Sequence, residues 1–313
     1  MTLDPQAKYV LDLAEERGLP PLDQLTPDAA KADYEDRATK LTFRDVPIGN
    51  SLDLDIPGPH GAIPIRIYQP DGMTAPLPTL VYYHGGGWVI GSRDTHDSLC
   101  RLIANSGPFI VVSVDYRMGP EAPFPAAVDD AITAFNWAHD NIADYNGNPE
   151  KVAVGGDSAG GNLSAVVALL ARDAGGFQPA FQWLIYPATR MEMTSPSHQK
   201  YAEGYFLTRD LMRYFQRHYL QNPDDYKDWR ASPLLADSLA GLAPALIQTA
   251  GFDPLQDEAI EYAARMNREG SKATHTHFPG MIHGFVNLGG VIDAAHDCVK
   301  EGVAALQKAF RGS

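Results

Sequence analysis

The sequence contains little cysteine and has neither a leader-like start nor a membrane-length apolar run. Two cysteines, Cys100 and Cys298, occur in 313 residues, too few for a disulfide scaffold or a cysteine-based zinc site. Residues 1–18 lack the basic and apolar regions of a signal peptide and carry acidic residues instead. The apolar stretch 165–171 falls well short of the ~20 residues of a membrane span. These absences predict a soluble, cytoplasmic protein that does not bind membranes.

Positive charge is also scarce. Lysine and arginine total 25 against 39 aspartates and glutamates, which gives a net charge of −14. Nucleic-acid binding needs a basic surface, so no nucleic-acid partner is predicted. The composition, 44% hydrophobic and 20% charged, is that of an ordinary globular protein. The length fits one large α/β domain or two average domains.

Short apolar runs alternate along the chain with amphipathic helical stretches. The runs lie at 80–83, 109–114, 152–154, 184–186 and 245–247. Continuous runs of this length are typical of buried parallel strands. The alternation predicts an α/β fold with a mainly parallel central sheet flanked by helices. The segment 188–228 has no such run and is interpreted as a helical insertion at the carboxyl edge of the sheet, where a lid would lie.

The segment Gly156-Asp-Ser158-Ala-Gly160 follows an apolar strand and precedes a helix. This is the context of a nucleophile elbow, a sharp turn that exposes a serine. Side chains at positions 156 and 160 would collide with the neighbouring strand and helix. A glycine-rich turn with Ser158 as a helix cap is the alternative, but the strand before and the helix after favour a nucleophile.

A second glycine cluster, Gly85-Gly-Gly87, lies between His84 and Trp88 at the end of another apolar strand. Consecutive glycines let backbone N–H groups approach a ligand closely. Next to a serine nucleophile, such N–H groups would form an oxyanion hole. A flexible loop or a phosphate cradle is the alternative, but no lysine completes a phosphate-binding pattern.

A serine nucleophile requires a base, and the base requires an orienting acid. Of the ten histidines, His283 is the predicted base because its loop follows the last apparent strand. Asp253 is the predicted acid, although an aspartate before a proline can also cap a helix; Asp257 is the alternative acid. The order Ser158, Asp253, His283 is that of α/β-hydrolases.

His275 and His277 alternate within a predicted strand and could bind a metal as a pair. No third ligand is evident in the sequence, and a zinc site normally has at least three protein ligands. No metal and no cofactor are therefore predicted.

Five motifs in this order resemble those of the hormone-sensitive-lipase-like esterases, the bacterial family IV. They are His84-Gly-Gly-Gly-Trp88, Asp115-Tyr-Arg with Pro120-Glu121, Gly156-Asp-Ser-Ala-Gly160, Asp253-Pro-Leu-Gln-Asp257 and His283-Gly-Phe285. The resemblance covers the chain from about residue 45 to the C-terminus. It departs at Met118-Gly119, where relatives usually have Leu-Ala, away from the catalytic motifs.

The resemblance implies an α/β-hydrolase fold with a helical cap formed by residues 1–45 and 188–228. The catalytic core then comprises residues 46–187 and 229–313. The resemblance also implies that Gly85, Gly86 and Ala159 donate the N–H groups of the oxyanion hole, while His84 holds the glycine loop.

These observations predict a serine carboxylesterase that hydrolyses short- to medium-chain esters of small molecules through an acyl-enzyme. An amidase or peptidase on the same fold is one alternative, and a ligand-binding receptor-like relative is another. All three members of the predicted triad are present, which disfavours a receptor. Relatives of this family are often dimers, so a homodimer is a further expectation, with no residues assigned to it.

Two bulky residues are predicted to form walls of the substrate pocket. Trp88 follows the glycine loop and Tyr186 ends a strand, although plain core packing is the commoner position for such aromatic residues. Tyr201, Tyr205 and Phe206 of the insertion could close the pocket from above. Acyl chains of about four to six carbons are expected to fit best, since each buried methylene contributes ~0.8 kcal/mol until the wall is met.

Overall fold

The computed structural model describes residues 2–312. In that range a single sheet of eight strands is flanked by nine α-helices. The strands are β1 (Asn50–Gly58), β2 (Gly61–Gln69), β3 (Leu77–Tyr83), β4 (Ile110–Val114), β5 (Gly147–Asp157), β6 (Gln182–Ile185), β7 (Ala245–Phe252) and β8 (Ala273–Ile282). The helices are α1 (Pro5–Glu16), α2 (Pro27–Leu41), α3 (Asp97–Ser106), α4 (Ala126–Asn141), α5 (Ala159–Ala174), α6 (Pro196–Lys200), α7 (Arg209–Tyr219), α8 (Gln256–Arg268) and α9 (Asp293–Gly312).

The strand order is β1-β2-β4-β3-β5-β6-β7-β8. Strands β1 and β2 pair antiparallel, as do β2 and β4, and every other neighbouring pair is parallel. Parallel strands are connected through helices that cover both faces of a sheet, which explains the continuous apolar runs. The predicted α/β-hydrolase fold with a mainly parallel sheet is confirmed.

Helices cover the two faces of the sheet in two groups. On one face α3 and α9 pack against alternate strand residues such as Tyr82 and Trp183. On the other face α4 and α5 pack against the intervening residues, among them Val81 and Val154. Because successive strand side chains point to opposite faces, each buried strand contributes to both layers of the core.

The two segments predicted as a cap are helical and lie beside the same cavity. Helices α1 and α2 belong to the N-terminal segment, and α6 and α7 belong to the insertion. Side chains from both segments, such as Tyr34 and Phe215, line the cavity that contains Ser158. The division of the chain into cap and core, with its boundaries, stays a prediction. Across residues 2–312, no helix combines the length and the apolar character required to cross a lipid bilayer.

Candidate active site

The candidate nucleophile lies at the sharp turn between β5 and α5. Ser158 has φ +55° and ψ −114°, a backbone conformation that residues other than glycine rarely adopt. A Cβ atom added to Gly156 or to Gly160 would overlap the carbonyl oxygen of Tyr83 on β3. Both glycines are therefore required by close packing, as the sequence predicts. The turn leaves the serine facing the cavity.

A continuous chain of hydrogen bonds leads from this serine to a buried carboxylate. Ser158 Oγ lies 2.9 Å from Nε2 of His283, and Nδ1 of His283 lies 2.8 Å from Oδ2 of Asp253. Asp253 is fully buried and His283 is 6% exposed. The other oxygen of Asp253 accepts the N–H of Leu255 at 2.8 Å. One carboxylate thus orients the imidazole and also holds the turn that begins α8.

The residues that the sequence left as alternatives have other partners. The Asp257 carboxylate accepts the backbone N–H of Ser197 in α6 at 2.8 Å, so it joins the insertion to the core. His275 and His277 each hydrogen-bond to Thr249 Oγ1, at 2.8 and 2.9 Å. The alternative acid therefore contacts the insertion rather than the candidate base.

In the glycine loop, the N–H groups without an acceptor begin one residue later than predicted. The N–H of Gly85 donates to Oδ1 of Asp157 at 3.0 Å, so it is not available to a substrate. Gly86 and Gly87 line the cavity, and their φ angles of +125° and +60° favour glycine. Among residues 2–312, no acceptor takes the N–H of Gly86, Gly87 or Ala159. The predicted set of Gly85, Gly86 and Ala159 is therefore corrected at its first member.

His84 lies directly beneath the loop. Its ring stacks on Tyr116 at a centroid distance of 4.4 Å, and its Nδ1 lies 2.8 Å from the carbonyl oxygen of Gly85. The Tyr116 hydroxyl donates to the carbonyl oxygen of His84 at 2.7 Å. Burial lowers the pKa of His84, so the ring is neutral at pH 7 and can donate from Nδ1. These contacts fit the predicted support of the glycine loop.

A cavity of about 390 Å³ opens over Ser158 and His283. Trp88 lines it and stacks on Tyr219 at a centroid distance of 4.7 Å. Tyr186, the other predicted wall, does not line the cavity: its fully buried ring packs 4.6 Å from the ring of His283. Tyr186 therefore supports the imidazole, because its strand end turns the side chain towards the core.

The insertion supplies a further wall of the cavity. Of the aromatic residues singled out there, Tyr205 and Phe206 line the cavity, whereas Tyr201 packs against Phe252 at a centroid distance of 5.7 Å. The apolar side of α7 was not predicted from the sequence, and from it Leu211, Met212 and Phe215 line the same cavity. Their spacing of one and three residues is a helical signal that could have identified them.

A buried polar cluster, consisting of Glu258, His198 and the start of the insertion, lies beside the cavity. One Glu258 oxygen accepts the backbone N–H groups of Thr189 and Arg190 at 2.6 and 3.1 Å. The other lies 3.3 Å from Nε2 of His198, which lines the cavity. Burial raises the pKa of Glu258 to about 8 and lowers the pKa of His198. Both side chains are therefore neutral at pH 7, and the cluster joins the insertion to α8 without a buried charge.

Comparison with known proteins agrees with this geometry. Residues 80–287 match a family model described as the alpha/beta hydrolase fold. The chain is 51% identical over 242 residues to the carboxylic ester hydrolase LipN of Mycobacterium tuberculosis, which covers 75% of this chain and 64% of LipN. It is 43% identical to the carboxylesterase NlhH of the same organism, over 79% of each chain. The chain thus spans just under two thirds of LipN.

A solved structure of an ester hydrolase is similar to this protein along the whole chain. An ester hydrolase from the metagenome of Lake Arreo, solved with a bipyridine phosphonate derivative, superposes with a TM-score of 0.96. It is 42% identical in sequence, and the match covers all of both chains. The matched family region contains the elbow, the buried carboxylate and the candidate base. The chain therefore belongs to the α/β-hydrolase family, among the hormone-sensitive-lipase-like carboxylic ester hydrolases.

Proposed function

We propose that the protein is a cofactor-free serine carboxylesterase whose substrates are short- to medium-chain esters of small molecules. The observation that carries this proposal is the hydrogen-bonded chain from Ser158 through His283 to Asp253, which opens into an apolar cavity. In this proposal residues 1–45 and 188–228 form a cap over that cavity.

In the first half of the reaction Ser158 Oγ attacks the ester carbonyl carbon while Nε2 of His283 accepts the hydroxyl proton. Asp253 stabilises the resulting imidazolium. The carbonyl oxygen becomes an oxyanion that accepts hydrogen bonds from the N–H groups of Gly86, Gly87 and Ala159. Collapse of this intermediate breaks the ester C–O bond. The proton on His283 passes to the leaving alcohol, and an acyl-enzyme remains.

In the second half water attacks the acyl-enzyme carbonyl and gives a proton to His283. The second tetrahedral intermediate expels Ser158 Oγ, which recovers its proton from the imidazolium, and the carboxylic acid is released. The position of Ser158 at the N-terminus of α5 favours negative charge at this point, because the helix dipole is positive there.

The size and lining of the cavity support the short to medium acyl range. A cavity of about 390 Å³ lies near the lower end of the usual volumes of small-molecule sites. Its walls include Trp88 and Phe206, which lie in two loops, and Phe215, which lies in α7. A long acyl chain would have to displace the aromatic side chains of the insertion or leave the cavity.

The proposal places the protein in the cytoplasm and allows a homodimer. Strand β8 is at the end of the sheet, and much of its length is partly exposed. A free sheet edge can pair with a second chain. Light scattering on the purified protein measures the oligomeric state directly.

The triad is tested by single substitutions assayed on p-nitrophenyl butyrate. Ser158→Ala, His283→Ala and Asp253→Asn should each lower kcat by about 10⁴-fold or more while the protein remains folded. Asp257→Asn is the matched control and should retain near-normal turnover, because Asp257 contacts Ser197 and not the base. Retained activity in Asp253→Asn with loss in Asp257→Asn would overturn the assignment. Assaying matched ester and amide substrates separates a carboxylesterase from an amidase.

A further inference from the structure

The side chain that precedes the candidate nucleophile has an unusual position. Asp157 is the last residue of β5, and it is 4% exposed. Its Oδ1 accepts the Tyr82 hydroxyl at 2.9 Å and the Gly85 N–H at 3.0 Å, and it lies 3.2 Å from Nε2 of His96. Tyr82 and Gly85 belong to β3 and its loop, and His96 precedes α3. One buried carboxylate thus joins three separate parts of the site.

The glycine loop is pressed directly against this carboxylate. A Cβ atom at position 85 would overlap Oδ2 of Asp157, so only glycine fits there. Gly86 and Gly87, which line the cavity and whose N–H groups have no acceptor among residues 2–312, follow Gly85 immediately. Ser158 likewise follows Asp157 immediately. The hydrogen bond from Gly85 to Asp157 therefore directly links the residue before the candidate nucleophile to the residue before these glycines.

The carboxylate is held in its charged form. Burial alone would raise the pKa of Asp157, but the charge and hydrogen bond of His96 and the hydroxyl of Tyr82 hold it below its ordinary value. A hydrogen bond to an ionised acceptor is roughly twice as strong as one between neutral groups. The link to Gly85 is therefore stiffer than an ordinary loop contact.

We propose that Asp157 is a positioning residue, which fixes the N–H groups of Gly86 and Gly87 at the place where the oxyanion forms. The proposal rests on the function proposed above. A displacement of ~1 Å at a reacting centre can cost ~10²-fold in rate. Donors that act on the oxyanion stabilise the transition state more than the bound ester, so their displacement lowers kcat and leaves KM nearly unchanged.

Two substitutions at this position test the proposal. Asp157→Ala removes the acceptor and should lower kcat on p-nitrophenyl butyrate by about 10- to 100-fold, with KM within about threefold. Asp157→Asn retains an oxygen that can accept from Gly85 but loses the charge, so it should recover part of this loss. If the alanine variant does not fold, the asparagine variant alone tests the proposal, and its kcat should fall by about fivefold or more.

A transition-state analogue separates positioning from mere stability. A trifluoromethyl ketone with a butyl chain forms a tetrahedral oxyanion on the serine, whereas butyramide resembles the ground state. In both variants the inhibition constant of the ketone should rise by the factor by which kcat/KM falls, and that of butyramide should stay within about twofold. Unchanged kcat and ketone affinity, or equal weakening of both inhibitors, would overturn the proposal.

The matched control is a second buried aspartate outside the site. Asp130 is 1% exposed and accepts four hydrogen bonds from Arg117, at 2.8 to 3.1 Å. Asp130→Asn should lower the unfolding temperature without changing kcat or the ketone affinity. If the proposed esterase function is itself wrong, the outcome differs from these results. In that case a p-nitrophenyl phosphonate would fail to modify Ser158 in the unsubstituted protein.

Discussion

Replacement of Glu258 by glutamine should make the stability of this protein less dependent on pH. The buried Glu258 carboxyl has a pKa of about 8 in the folded protein, against about 4.3 for an ordinary glutamate. Between these pH values the folded state holds a proton that the unfolded chain has released. Stability contributed by this group is therefore complete below the lower pKa and is lost as the pH rises through the higher one.

The size of the effect follows from the difference between the two pKa values. At 1.36 kcal/mol per pH unit, the rise to about 8 corresponds to a loss on the order of 5 kcal/mol across this range. Glutamine has no proton to lose, and its oxygen can still accept the N–H groups of Thr189 and Arg190. The variant should match the unsubstituted protein within about 1 kcal/mol below pH ~5 and exceed it by several kcal/mol above pH ~8.

Urea unfolding of both proteins between about pH 5 and pH 9 measures this difference directly. Glu261→Gln is the matched control, since Glu261 lies on the same helix and its side chain is 48% exposed. The curve for the control should parallel that of the unsubstituted protein at every pH. A curve for Glu258→Gln that is also parallel to that of the unsubstituted protein, or a variant that is less stable than the unsubstituted protein at pH ~9, would contradict this prediction.

Three further outcomes follow from the cavity. Gly87→Ala should lower kcat/KM by about tenfold or more, because its Cβ would overlap the ring of Phe215 and its φ is +60°; steady-state kinetics on p-nitrophenyl butyrate checks this, and near-normal kcat/KM would contradict it. Removal of residues 1–40 should raise KM and lower the unfolding temperature, since α1 and α2 line the cavity; unchanged kinetics on every ester would contradict the cap. Across acetyl to palmitoyl esters kcat/KM should peak at about four to six carbons, and Phe215→Ala should shift that peak to longer chains; a maximum at about twelve carbons or more in the unsubstituted protein would show that the cavity is open.

The sheet was largely predictable because its central strands are buried on both faces. Burial of this kind leaves a continuous apolar run in the sequence, and each predicted run falls on a strand. Strand β1 was missed because Ile56 is its only fully buried residue. Its pairing with β2 is antiparallel at the edge of the sheet, where long-range contacts rather than composition determine the strand.

The sharp turn at Ser158 was predictable for a local reason, whereas the contact of Ser158 with His283 was predictable only from the order of the motifs. Strand, glycine, serine, glycine and helix follow each other within a few residues, so one stretch of sequence predicts the turn that exposes Ser158. Its contact with His283 joins residues 125 positions apart. The order of the motifs along the chain predicts that Ser158 and His283 meet, whereas the hydrophobic periodicity of the sequence does not. The direction of the Tyr186 side chain was not predictable from the sequence, because the face to which a strand-end side chain turns depends on packing from other elements.

The position of the proposed oxyanion donors depends on a similar long-range contact. Three consecutive glycines are equivalent in the sequence, and nothing local indicates which N–H faces a substrate. In the proposal this choice is made by Asp157, which is 72 residues away and takes the N–H of Gly85. Its position immediately before Ser158 is evident in the sequence, but its direction is determined by Tyr82, His96 and the sharp turn. A carboxylate next to a nucleophile would oppose a developing negative charge, so its hydrogen bonds matter for the reaction as well as for the fold.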